Sequence, residues 1–252
     1  MPIVEGKTPA GLVAHAQRAL SEKWWYAWGT FGNVLTESLL ESKAKQYPTY
    51  NGGANKAIHQ QHLGQTVSDC VGLIKGYCMW NDATDKPVYR ADLDYNTGMM
   101  YNAAKVKGPI GTIPDRAGIC VYMQGHVGVY VGDGWVIECA GGRGAIRTPL
   151  AGSGATPWTH WMQCPFINYD AKEVEEDMSK YLPYTAEVAV YDDRVLAEAQ
   201  QVQLSDKGYY TFIFSVNGRH RVCVGRFGTE AEAKKTADDL VKKGFSGFVT
   251  TI

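Results

Sequence analysis

One stretch of the chain limits its possible folds more than any other. Residues 118–142, GICVYMQGHVGVYVGDGWVIECAGG, alternate apolar and other side chains along two arms that meet at residues 132–134, Gly-Asp-Gly. Alternation with a period of two predicts half-buried β-strands, and a glycine-rich break between two such arms predicts a hairpin. With a three-residue loop at 132–134, one face of the hairpin is apolar throughout. That face carries Val127, Val129, Val131, Trp135, Ile137 and Cys139.

The opposite face of this hairpin carries two side chains with acid-base chemistry. The same register places Gly128 directly across from Glu138, and His126 on the diagonal to Glu138. Diagonal cross-strand positions lie about 7–8 Å apart, and the small Gly128 leaves room for a side-chain contact. A carboxylate there could fix the tautomer of the imidazole and support its charged form. The alternative is a solvated Glu138 beside a histidine at the rim of the sheet.

A cysteine is predicted at the start of a buried helix. In VSDCVGLIKGYCMW, Ser68 suits the helix cap and Asp69 the first turn, while Cys70, Leu73 and Ile74 begin an apolar stripe with helical spacing. Unpaired backbone N–H groups at a helix N-terminus favour thiolate over thiol, which prepares a nucleophile. The alternative is an inert cysteine at the start of a core helix.

The other cysteines and histidines give weaker signals. Cys78, Cys120, Cys164 and Cys223 show no CxxC pairing, so they predict buried small side chains rather than zinc ligands or a disulfide scaffold. His59 and His62 lack ligand partners at metal-binding spacing and predict a surface or cleft lining. His160, between two tryptophans, predicts packing at the start of a strand. No metal and no cofactor is expected.

The chain divides into a large N-terminal and a small C-terminal part. Helical spacing at 8–22, a second helix ended by Pro48 and the strands of 118–169 predict an α+β domain over residues 1–170. The acidic run at 171–183 predicts a linker. Residues 184–252 follow a βαββαβ order, which predicts a four-stranded sheet backed by two helices.

Charge and hydropathy exclude some classes of partner. The chain has 25 basic and 26 acidic residues, so neither nucleic acid nor anionic lipid is an expected partner. No signal peptide and no apolar run long enough for a membrane span is visible. We expect synthesis in the cytoplasm, and action on a cell wall only after export or lysis.

Four motifs of the N-terminal part resemble those of the NlpC-type peptidases, which are papain-like endopeptidases of peptidoglycan. They are YAWGT at 26–30, DCVGL at 69–73, GHVGVYVGDG at 125–134 and VIECA at 136–140. The resemblance implies a papain-like domain in which a helix bearing the nucleophile packs on an antiparallel sheet. It implies Cys70 as nucleophile, His126 as base and Glu138 as third polar residue.

The resemblance also implies roles for two residues near the substrate, and the sequence departs from the family pattern in three places. Tyr26 would line the cleft beside the thiolate, and Asp69 would position the helix start on the substrate-binding side. Glu138 stands where many members have histidine, and Val71 replaces the usual serine. About forty residues separate the Tyr26 motif from Cys70, and this long insertion is expected to reshape the substrate cleft.

The C-terminal part resembles a SPOR domain, most clearly in VGRFGTEAEAKKTADDLVKKGFSGFV at 224–249. Family members bind peptidoglycan glycan strands. Alternation of Tyr210, Phe212 and Phe214 with the residues between them predicts a sheet with one partly aromatic face open to a sugar.

Together the resemblances imply a lysin-like cell-wall hydrolase. The implied bond joins D-glutamate to the diamino acid of the stem peptide. Two alternatives stay open: an N-acetylmuramoyl-L-alanine amidase of related papain-like type, and an inactive wall-binding adaptor. In each case the partner is peptidoglycan, with the glycan strand at the C-terminal domain.

Overall fold

A computed structural model describes residues 3–169, 183–216 and 218–252 of the chain. It divides into two compact units, Met1–Lys172 and Glu173–Ile252. The predicted linker at 171–183 lies outside the described residues except for Pro183. Within the described ranges, no helix has both the length and the apolar character that crossing a bilayer requires.

The N-terminal unit is a mixed α/β structure. Its helices are α1 (Pro9–Ser21), α2 (Glu37–Gln46), α3 (Pro48–Asn51), α4 (Gly53–Gln60), α5 (Cys70–Cys78) and α6 (Thr97–Ala103), with 3-10 turns at Ala91–Leu93 and Ile110–Thr112. The predicted helices at 8–22 and before Pro48 are confirmed by α1 and α2. Pro48 itself begins α3, where its fixed φ suits a first helical position.

The strands of this unit form one large and two small sheets. The strands are β1 (Trp25–Tyr26), β2 (Phe31–Val34), β3 (Thr66–Ser68), β4 (Trp80–Asn81), β5 (Lys86–Pro87), β6 (Lys107–Pro109), β7 (Cys120–Met123), β8 (His126–Gly132), β9 (Trp135–Ala140), β10 (Gly144–Pro149) and β11 (His160–Met162). The large sheet has the order β10-β9-β8-β7-β11-β6 and is antiparallel throughout. The small sheets have the orders β1-β3-β2 and β4-β5.

The central hairpin β8–β9 has the predicted faces. Val129 pairs with Ile137, which is the register that sets Gly128 opposite Glu138. The predicted apolar face packs into the main core with α1 and α5. The tip differs from the prediction, because Gly132 pairs with Trp135 after a register shift and leaves a two-residue turn at Asp133 and Gly134. Both turn residues have positive φ, as a turn of this hand requires.

Helix α5 is buried along its whole length and packs against β2, β8 and β9. Two glycines allow this approach, because a Cβ at Gly72 would lie 2.0 Å from the carbonyl oxygen of Thr30, and one at Gly76 would lie 2.4 Å from that of Phe31. The helix cap is Asp69, whose carboxylate accepts from the N–H of Gly72. The prediction of Ser68 as cap was therefore wrong by one residue: the buried Ser68 ends β3.

The C-terminal unit contains four strands and two helices in the predicted βαββαβ order. They are β12 (Tyr184–Tyr191), α7 (Arg194–Asp206), β13 (Thr211–Val216), β14 (Arg219–Phe227), α8 (Glu230–Lys242) and β15 (Phe248–Thr251). The sheet order is β13-β14-β12-β15 with antiparallel pairing. Thr229 caps α8 and forms a reciprocal capping box with Glu232. Ala186, Val222, Ala237 and Leu240 help to form a separate small core.

Candidate active site

Cys70 is the first residue of α5, and its thiol lies against the neighbouring strand. Only 4% of the residue is exposed. Its Sγ lies 4.0 Å from the carbonyl oxygen of Gly125 and also contacts the backbone N–H of Val127. These two groups flank His126 in sequence. The packing of α5 on β8 therefore brings the cysteine to the backbone around the histidine.

His126 is hydrogen-bonded to Glu138 across the hairpin. The His126 Nε2 atom lies 2.5 Å from Glu138 Oε2. The predicted diagonal contact therefore exists, and it occupies one of the two ring nitrogens. With Glu138 ionised, Nε2 carries the ring proton and donates a hydrogen bond to the carboxylate, which leaves Nδ1 as a proton acceptor.

The Glu138 carboxylate is enclosed by hydroxyl donors that were not predicted from the sequence. Thr148 on β10 and Thr156 in the following loop donate to Glu138 Oε1 at 2.7 and 2.6 Å. Burial acts to raise the pKa of Glu138, but the hydrogen bonds from His126, Thr156 and Thr148 outweigh it and hold the pKa below its ordinary value. Glu138, at 1% exposure, is thus a buried and ionised carboxylate rather than a solvated strand residue.

Trp158 forms a second wall of the site. Its ring stacks on His126 with centroids 5.4 Å apart and planes 8° apart. The space above Gly128, which the sequence suggested was free for the contact between His126 and Glu138, is filled by this indole and by Val136. The indole Nε1 is buried and has no hydrogen-bond partner among the described residues. The stack restricts the imidazole plane and shields its bond to Glu138 from water.

The protonation state of Cys70 differs from the sequence-based prediction. Burial, followed by the nearby Asp69 carboxylate, raises the pKa of the Cys70 thiol to about 12. The N–H groups of Val127, Val71 and Cys70 itself oppose this rise without cancelling it. The prediction that position at a helix N-terminus favours thiolate was wrong because it ignored desolvation. The resting group is a neutral thiol.

Asp69 and Tyr26 both lie beside Cys70. The Asp69 carboxylate accepts from Gly72 N at 2.6 Å and from Gly29 N at 2.8 Å, so it ties α5 to the loop after β1. At 6% exposure it occupies a structural position in the helix cap. Burial raises the pKa of Tyr26, and the nearby Cys70 and Asp69 groups raise it further. Tyr26 is therefore a neutral phenol that is close enough to Cys70 and Asp69 for their charges to raise its pKa.

The insertion before Cys70 holds the loop that follows β1, the strand of Tyr26. Asn51 is buried, donates to Trp28 O at 2.9 Å and accepts from Trp28 N at 3.1 Å. The ring of Tyr50 stacks on Trp28 with centroids 3.9 Å apart. These contacts come from α3 and were not predicted, because no sequence pattern links Asn51 to a distant backbone.

The two histidines of the insertion, His59 and His62, contact β1 itself. His59 Nδ1 accepts from Trp25 Nε1 at 3.2 Å, and the ring of His62 stacks on Trp25 at 3.7 Å. The prediction for His59 was a surface or cleft lining; at 6% exposure the surface position is wrong, and the cleft position stays a prediction. His62 lies beyond the end of α4, so the two rings do not share a helix face.

The other cysteines are buried, as predicted. All six cysteines of the chain are free and buried. Cys78, Cys120 and Cys164 come together in the core behind the site, where their thiols interact with each other. In the described part of the chain, no group of three or more His, Cys, Asp or Glu side chains could hold a metal ion.

The sheet of the C-terminal unit has the predicted alternation. Thr211 is buried, and Ile213 packs against the core under the helices. Phe212 and Phe214 alternate with these residues, and each is only partly buried. Arginine side chains lie over both rings, with the guanidinium carbon of Arg226 4.4 Å from the Phe212 centroid and that of Arg221 5.7 Å from the Phe214 centroid.

Comparison with known proteins concerns the C-terminal unit alone. No curated protein matches the chain, and no match to the NlpC-type family is found. One solved structure to which the chain is similar is the peptidoglycan binding domain of the B. subtilis cell wall lytic enzyme CwlC. The match has 19% identity, covers 27% of this chain and 87% of that domain, and has a TM-score of 0.26. The SPOR domain family matches residues 183–251. Residues 183–251 are a SPOR domain.

Proposed function

We propose that the chain is a cell-wall hydrolase in which Cys70, His126 and Glu138 cleave an amide bond of the peptidoglycan stem peptide. The observation that carries the proposal is the buried hydrogen bond between His126 and Glu138, next to a cysteine at a helix start. A nucleophile, a base and a group that orients the base are the minimum set for acyl transfer through a thiol. The helix on an antiparallel sheet supports a papain-like arrangement.

Each step of the proposed reaction has a group to perform it. His126 Nδ1 takes the proton of the Cys70 thiol as Sγ attacks the amide carbonyl, so the resting thiol ionises only during attack. Backbone N–H groups at the start of α5 stabilise the oxyanion. The C–N bond then breaks, and His126 gives its proton to the leaving amine. Water hydrolyses the thioester, which releases the carboxylic acid and restores the thiol.

The C-terminal SPOR domain supports peptidoglycan as the partner. SPOR domains bind peptidoglycan, so the domain would hold the catalytic unit at its polymer. The enzyme would reach the wall by export or at lysis, as the sequence analysis expects.

Mass spectrometry of a digest of purified peptidoglycan tests the proposed bond. We expect muropeptides shortened within the stem, with a new amine on the diamino acid, as for a D-glutamyl-diamino acid endopeptidase. Intact stem peptides released from the sugar would identify an N-acetylmuramoyl-L-alanine amidase instead. A digest with no new termini would contradict hydrolase function.

One observation favours a wall-binding adaptor as a second candidate. The Cys70 thiol is buried, and its pKa is raised to about 12. If this thiol does not react, the N-terminal unit is only a scaffold attached to the SPOR domain. Alkylation with iodoacetamide separates the two: an enzyme loses lytic activity in step with the modification of Cys70, whereas an adaptor shows no activity to lose.

A further inference from the structure

A cavity of about 550 Å³ opens on the surface beside Cys70 and has no assigned role. Its lining includes Tyr122, Gln124, Gly125, Thr159 and His160. Gly125 belongs to both places, because its carbonyl oxygen lies 4.0 Å from Cys70 Sγ. One edge of the cavity therefore lies close to the Cys70 thiol.

The cavity has an aromatic wall. Tyr122 stacks on Tyr101 behind it, with centroids 4.3 Å apart and planes 11° apart. The ring of His160 stands edge-on to Tyr101 at 5.3 Å. This stack fixes the plane of Tyr122, so the wall is rigid before any ligand arrives. A fixed aromatic ring is suited to the apolar C–H face of a sugar.

The polar groups of the cavity are able to donate and accept hydrogen bonds. Thr159 donates to Tyr122 O at 3.2 Å, and its hydroxyl oxygen lies 2.9 Å from His160 Nδ1. Because the Thr159 hydroxyl donates its hydrogen to Tyr122 O, it accepts a hydrogen bond from His160 Nδ1, and His160 Nε2 is left as an acceptor. The Gln124 amide is exposed and adds both a donor and an acceptor.

The charge of the lining selects against a charged ligand. None of the residues that line the cavity is Lys, Arg, Asp or Glu. A carboxylate or ammonium group of a stem peptide would find no counter-ion there. Hydroxyl and acetamide groups would find donors and acceptors without needing one.

We propose that this cavity binds the N-acetylated sugar attached to the stem peptide, so that the substrate is the sugar-linked peptide and not the free peptide. The proposal rests on the proposed function only for the identity of the polymer. Binding to the cavity requires no catalysis, and it is measured separately.

Calorimetric titration of the full-length Cys70→Ala variant tests the proposal. The two ligands are N-acetylmuramoyl-L-alanyl-D-isoglutamine and N-acetyl-L-alanyl-D-isoglutamine, which lacks the sugar but keeps an uncharged amide at the alanine nitrogen. We expect the sugar-linked ligand to bind at least about tenfold more tightly, which corresponds to about 1.4 kcal/mol of sugar contacts. Equal affinity for the two ligands, or no binding of either, would overturn the proposal.

Two further substitutions on the Cys70→Ala background locate the sugar. Tyr122→Leu removes the aromatic face and should reduce the preference for the sugar-linked ligand about fivefold. Gln124→Ala removes exposed hydrogen-bonding groups with little risk to the fold and should reduce it by a smaller factor. Gln60→Ala, an exposed glutamine on α4, is the matched control and should leave the preference unchanged. If both cavity variants keep the full preference for the sugar-linked ligand, the sugar binds elsewhere.

Failure of this proposal is distinguishable from failure of the proposed function. If the wild-type protein cleaves free and sugar-linked stem peptides at the same rate, the hydrolase stands and the sugar site is wrong. If it cleaves neither but the titration shows the preference, the sugar site stands and the hydrolase is wrong.

Discussion

The Nε2 atom of His126 lies 2.5 Å from Oε2 of Glu138, a carboxylate that is 1% exposed and receives two further hydrogen bonds from threonine hydroxyls. This relationship fixes the orientation of the imidazole, as the proposed role of His126 as a base requires. It leaves the second ring nitrogen available while the carboxylate supports the charged imidazole.

Glu138→Gln should reduce peptidoglycan hydrolysis by about a hundredfold or more, because the amide no longer stabilises positive charge on His126. The rate of release of new amino groups from purified peptidoglycan measures the effect. Glu198→Gln, an exposed position on α7, is the control and should retain full activity. Undiminished activity in Glu138→Gln would reduce the triad to a dyad of Cys70 and His126.

The same carboxylate should make stability depend on pH. Its pKa is held below the ordinary value of 4.5 in the folded protein, so its ionised form stabilises the fold above that value. This contribution is lost as the pH falls through the folded pKa. The free energy of unfolding should therefore fall more steeply below pH 4.5 in the wild type than in Glu138→Gln. Denaturant titrations at several pH values measure this free energy. The same dependence on pH in both proteins would refute the idea.

Asn51→Ala should destabilise the N-terminal unit by about 2 kcal/mol, because two backbone groups of Trp28 lose their partner. Activity should fall as well, since Trp28 precedes the Gly29 N–H that holds Asp69. Urea unfolding and peptidoglycan hydrolysis measure the two effects. Asn55→Ala, which removes only one long contact on the exposed side of α4, should change stability by less than about 0.5 kcal/mol. Equal effects of the two variants would contradict the anchoring role.

Phe212→Ala should lower the affinity of the full-length protein for purified cell walls about fivefold, since it removes a ring from the partly aromatic sheet face. Co-sedimentation with the walls measures this affinity. Val195→Ala on α7, which is 69% exposed, is the control and should bind as the wild type does. Wild-type binding by Phe212→Ala would move the wall-binding surface away from this face.

The hairpin could be predicted from sequence because its information is local and periodic. Alternation in β8 and β9 specifies which residues share a face, and only one register buries all of Val127, Val129 and Ile137. The contact between His126 and Glu138 follows from that register. The one-residue error at the cap of α5 arose because Ser68 and Asp69 are both good capping residues. The choice between them depends on Gly29, which lies far away in sequence.

The surroundings of the site could not be predicted in the same way. Thr148, Thr156 and Trp158 reach Glu138 and His126 from β10 and an irregular loop, where no period identifies the side chain that points inward. Their polar and aromatic character close to the end of the sheet was the only available signal. The pKa of Cys70 depends on burial, which the helix-start argument leaves out.

The most direct test of the central claim is the rate at which Cys70→Ala releases new amino groups from purified peptidoglycan. Cys223→Ala, which changes a buried cysteine of the C-terminal unit, is the matched control. The account predicts hydrolysis by the wild type and by Cys223→Ala, and none above background by Cys70→Ala, with circular dichroism spectra that match the wild type. Hydrolysis by Cys70→Ala at the wild-type rate would contradict it.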